Sequence, residues 1–163
     1  MKILAACLLL LAAPVSAAGV KETTPMHATG TFDVKVKPQQ PDNDDAKAAG
    51  LARLALDKKF HGALEGESHG EMLALGDGTT AGAYVAIETV SGRLDGREGS
   101  FGLVHRALMR DGKPEQWSIL VVPGSGTGGL AGIDGELTIT IANGVHSYDL
   151  SYTLPAAAPQ AAR

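Results

Sequence analysis

The only cysteine in the 163 residues is Cys7, inside an N-terminal apolar run. Disulfide scaffolds, cysteine metal sites and thiol nucleophiles are therefore excluded for the rest of the chain. Basic residues are also scarce: 14 Lys and Arg stand against 18 Asp and Glu, with no Lys/Arg cluster. Such a chain is a poor candidate for nucleic acid, and it has no polybasic patch for anionic lipid. Aromatics make up 4% of the residues: Phe32, Phe60, Tyr84, Phe101, Trp117, Tyr148 and Tyr152. All fall in expected strands, so none offers a loop platform for stacking bases. Helical periodicity is nearly missing, which argues against a nucleotide-binding α/β fold.

What is present begins with a leader. Lys2 gives a short positive region, Ile3 to Ala13 an apolar one, and Val15-Ser16-Ala17 a small-residue cleavage site. This reads as a secretory signal over 1–17, cut near Ala17, directing the protein to the periplasm or outside the cell. Leu4-Ala5-Ala6-Cys7 is no lipoprotein box, because the apolar run follows Cys7. Without Lys2 the formal net charge of −4 becomes −5. Residues 18–26 form a polar lead, 27–154 the domain, and 155–163 a Pro/Ala-rich tail expected to be disordered. No membrane contact is expected once the signal is removed.

Within 27–154, Ala28 to Val36 alternates as a strand. A short helix is expected somewhere in 46–55, interrupted by Gly50. Alternation returns from Leu54 to Leu64, then at Glu71 to Leu75, Tyr84 to Val90, Phe101 to Met109 and Trp117 to Val122. About eight strands with Gly-rich turns imply an all-β antiparallel meander, closing into a sandwich or small barrel.

Two turn dipeptides fix registers. With Asn143-Gly144 as the loop, Ile141 faces His146, Ile139 faces Tyr148 and Leu137 faces Leu150, so His146, Tyr148 and Tyr152 point inward. With Asp95-Gly96 as the loop, Val90 faces Phe101, Glu88 faces Leu103, Ala86 faces His105 and Tyr84 faces Ala107. That apolar face also carries Glu88 and His105 as diagonal neighbours. Burying an unpaired charge is costly, so the two are either a structural hydrogen-bonded pair or an acid/base pair facing a ligand.

Other motifs carry less. Gly124-Ser-Gly126-Thr-Gly-Gly129 fits a dinucleotide loop, but β-branched alternation follows where a helix must start. No Lys-Ser/Thr follows for a P-loop. Glu67, His69 and Glu71 share strand parity without a zinc-ligand spacing, and read as a solvated face. There is no G-x-S-x-G. No metal or cofactor is expected.

A resemblance joins these pieces. Ala28-Thr-Gly-Thr-Phe32, Asp57-Lys-Lys-Phe-His-Gly62, Gly70-Glu-Met-Leu73, Ala83-Tyr-Val-Ala-Ile-Glu88, Val121-Val-Pro-Gly-Ser-Gly-Thr-Gly128 and Gly144-Val-His-Ser-Tyr148 occur in that order. Together they resemble the DUF3224 family of uncharacterised bacterial proteins, whose fold is similar to the allene oxide cyclase β-barrel. The resemblance implies an eight-stranded barrel, not cyclase activity. Family members often have His-Ser-Gly-Thr-Met where this chain has His105-Arg-Ala-Leu-Met109, and usually start near Met26. The expected ligand is a small, largely apolar molecule in the barrel interior. Tyr84, Phe101, His146, Tyr148 and Tyr152 would line it, with Glu88 and His105 as polar anchors. Two alternatives stand: an isomerase or cyclase using an interior Glu88 or Glu71 with His105 or a tyrosine assisting, or a solid structural or interaction barrel with no ligand. The oligomeric state is not legible.

Overall fold

The computed structural model describes residues 24–40, 43–77 and 80–155. The expected signal, most of the polar lead and residues 156–163 of the tail lie outside them. Eight antiparallel strands follow one another around a closed barrel: β1 (Met26–Gln39), β2 (Ala52–Gly62), β3 (Leu64–Gly76), β4 (Ala81–Leu94), β5 (Arg97–Arg110), β6 (Lys113–Val121), β7 (Asp134–Ala142) and β8 (Val145–Thr153). β8 returns to pair with β1, so the meander has no free edge.

Both registers read from the turns hold. Ile141 pairs with His146 and Leu137 with Leu150, while Glu88 pairs with Leu103 and Ala86 with His105. Asn143 and Gly144 take φ of 52° and 77°, the left-handed pair that a type I′ turn requires. The helix is shorter and earlier than expected. α1 (Asp44–Ala48) starts where the Asn43 side chain accepts the Ala46 N–H, and β2 already begins at Ala52.

The two ends differ. At the lower end the β6–β7 connection folds back as a plug. Its Leu130 and Ile133 are buried against Leu64, Leu94, Phe101, Tyr152 and Leu154. Backbone bonds from Thr127 N–H to Ser100 O and Val122 N–H to Gly102 O fasten it to β5. The Gly124–Gly129 segment is thus a packed connection, with one 3-10 turn at Gly128–Leu130. The upper end is open: inward-parity Val36 and Ile141 keep 48% and 54% of their surface exposed. Past Phe32–His146 the pairing of β1 with β8 stops while β1 continues to Gln39, which leaves a notch in the wall.

A bulge on β6 shapes the upper interior. Arg106 pairs with Ser118 but Leu108 with Glu115, so Gln116 and Trp117 both oppose Ala107. Gln116 takes a φ of 50° to do so. The extra residue changes strand parity on the Glu115 side, while Trp117 keeps the inward parity of Ile119 and Val121 and packs against the core.

Candidate functional site

Alternation puts one face of each strand inside the barrel. On β2 that face reads Leu54, Leu56, Lys58, Phe60, and on β3 it includes Leu64, Ser68 and Met72. Lys58 pairs with Ser68, and Ser68 with Val90, so Glu88 is the next inward residue along β4. The result is a buried polar cluster halfway up the barrel. Glu88 keeps 1% of its surface and Lys58 8%, and Ser68 and His105 are buried with them.

The Glu88 carboxylate is fully engaged. Its Oε1 accepts from Lys58 Nζ at 2.7 Å and lies 2.9 Å from His105 Nε2; its Oε2 accepts from Ser68 Oγ at 2.8 Å. Burial by itself pushes the carboxyl pKa up. The His105 hydrogen bond and the Lys58 charge more than reverse this, and the group ends at about 2. Glu88 is therefore ionised at neutral pH. A base whose pKa sits so far below the operating pH removes protons poorly, and an ionised carboxylate is no acid. The geometry supports an anchoring role for Glu88 over proton transfer.

This has a consequence for acid stability. The folded pKa lies below the unfolded value of about 4.5, so the contribution of Glu88 is fully present above pH 4.5. It is lost as pH falls through about 2. Urea denaturation across that window should show stability declining with acidification, and Glu88→Gln should flatten the decline.

Lys58 is less satisfied than its partner. The hydrogen bond to Glu88 is the one the described residues offer its ammonium, which has three N–H donors. The charge also lies 5.2 Å from the centroid of the Phe32 ring, a cation–π contact. Phe32 in turn packs on Phe60 and on the His146 ring, with centroids 5.4 and 5.1 Å away. Phe32, Val34 and His146, with the polar Thr31, Asp33, Lys35 and Lys59 at the rim, line a cleft of about 580 Å³ at the notch between β1 and β8. Val34 is the strand partner of Lys58. The notch thus opens onto the wall behind which the ammonium sits.

Above the cluster lie half-buried Tyr84, Met72, Met109, Trp117 and Ile139. Burial raises the Tyr84 pKa and the Trp117 indole lowers it in part. The indole N–H makes no hydrogen bond of good geometry to that hydroxyl, and it is buried without another partner among the described residues.

The expected site residues divide between two places. Glu88, His105, Tyr84 and His146 belong to the upper half. Phe101, Tyr148 and Tyr152 are part of the closed core and form no open wall. The Tyr148 hydroxyl accepts the Leu64 N–H at 2.9 Å and donates to His61 O. The Tyr152 hydroxyl donates to Asp95 at 2.6 Å, and burial with that bond pushes its pKa up to about 12. Both tyrosines spend their polar atoms on turns at the lower end. Glu71 is not interior, because its strand parity faces outward. It is exposed and binds Arg53 with both oxygens at 2.8 Å. Glu67 and His69 are also outside, and His69 pairs with Asp57 at 2.9 Å. Lys58 and Ser68 were missed from sequence, although each sits on the apolar parity of its strand.

A family model described as "Protein of unknown function (DUF3224)" matches residues 28–152. Among solved structures, the chain is similar to a protein of unknown function from the DUF3224 family of Shewanella oneidensis MR-1. The two are 42% identical with a TM-score of 0.72, over 82% of this chain and 99% of that one. No curated protein matches.

Proposed function

The chain belongs to the DUF3224 family, whose description carries no activity, and from its own geometry we propose an exported, non-enzymatic barrel that binds a small, largely apolar molecule in its upper half. One observation carries this reading. Among the described residues, a buried ammonium with donors to spare lies behind a notch whose inner wall is Phe32, Val34 and His146 and whose rim is charged. Burying a charge costs several kcal/mol unless its partners are satisfied, roughly. A ligand oxygen reaching Lys58 would supply an acceptor, while Phe32, Val34, His146 and Tyr84 would contact an apolar body. The leader, Ile3 to Ala13 with its cleavage site, supports export.

The isomerase alternative is less favoured because Glu88 is held ionised and triply bonded. Trp117, the single tryptophan, provides the test. Apolar carbonyl, carboxyl and hydroxyl compounds should change its fluorescence saturably. Val34→Phe, which narrows the notch and leaves the charges alone, should weaken that binding at least tenfold. A panel with no saturable response would reject the reading.

A further inference from the structure

We propose that the outer face of β3–β6 is the interface between two copies of this chain. Eleven large hydrophobic side chains are exposed among the described residues, and seven of them fall on this face: Leu73, Leu75, Val85, Ile87, Val104, Leu108 and Leu120. The register makes them one patch. Ile87 pairs with Val104 and Val104 with Leu120; Leu73 pairs with Val85. Leu75 and Leu108 both pair with Ala83, closing the upper edge.

Each of the seven keeps 37–63% of its surface, so the patch amounts to roughly 600 Å² of apolar area, the top of the range for a monomer. Two such faces stacked, with the polar groups around them, reach about the 1,200 Å² at which stable interfaces begin. Sheets pack face to face in this way in sandwiches. Next to the patch, α1 and Leu51 bound a groove of about 730 Å³ that also takes in Val85, Ile87 and Val104. It gives a protruding side chain of the second copy somewhere to seat.

Charge favours a second copy over other occupants. The surface carries Arg106, the strand partner of Val85, and Asp45 on α1, which bounds the groove with Val85: opposite signs on one patch, as a self-complementary two-fold contact needs.

Sedimentation equilibrium of the full chain at micromolar concentration tests this. The expected mass is twice that of one chain, falling to one chain in Ile87→Glu with near-UV circular dichroism unchanged. Val85→Lys serves the same purpose if Ile87→Glu fails to fold. A monomeric parent overturns the proposal, as does a dimer that survives both substitutions. So does a monomer in which cross-linking joins residues 1–23 to β4, since the chain would then be covering its own patch.

Discussion

Glu88→Ala should lower the free energy of unfolding by about 3–5 kcal/mol at neutral pH, measured by urea denaturation. The loss comes from what remains. Lys58 keeps 8% of its surface and would stay buried with no counter-charge, while Ser68 and His105 would lose their acceptor. Removing both charges should hurt far less. Lys58→Met with Glu88→Leu replaces an ion pair by apolar side chains of similar length, a change that is often neutral. The double variant should therefore recover most of the stability of the parent. A large coupling energy in that cycle shows that the carboxylate is retained for the ammonium it faces. A double variant as unstable as Glu88→Ala would instead place the value of Glu88 in its bonds to Ser68 and His105.

The parts of this arrangement that a reader of the sequence could see are those tied to turns. Asn143-Gly144 and Asp95-Gly96 each fix a two-residue loop, so every pair in β7–β8 and β4–β5 follows by counting. Glu88 and His105 emerged as diagonal neighbours on that basis alone. Lys58 and Ser68 did not, because the β2–β3 connection through Gly62 and Ala63 carries no such dipeptide and leaves the register open. The signal was weaker but present, a lysine between Leu56 and Phe60 on the inward parity. Trp117 follows from alternation, since it shares the inward parity of Ile119 and Val121; the bulge beside it does not, because an extra residue at Gln116 leaves no periodic trace. The outer patch did leave one, since β4 from Tyr84 to Val90 is apolar on both parities at Val85 and Ile87. The lower end misled for a physical reason. Tyr148 and Tyr152 do face inward, but the β6–β7 plug fills that end, and nothing in strand alternation announces a loop that folds under a barrel.

Gly70→Ala should cost about 3 kcal/mol, the upper part of the overpacking range, and its pH profile separates a local clash from a general one. Gly70 is the strand partner of Glu88. A Cβ placed there would lie 2.5 Å from the Glu88 Cβ and 2.4 Å from Ile87 O. Neither atom is the end of a flexible chain, so β3 and β4 must part or Glu88 must shift. Either movement draws the carboxylate away from Lys58 and Ser68, which hold it from β2 and β3. Its pKa should then rise from about 2 toward the ordinary 4.5, and the stability lost between those pH values should shrink. Leu56→Ala, a cavity in the same layer, should destabilise the barrel by a similar amount while leaving the acid window intact. If Gly70→Ala keeps the full acid-dependent loss, the glycine serves only the close approach of the two strands. If the loss shrinks, the missing side chain at Gly70 is part of how the barrel holds an ionised carboxylate in its interior.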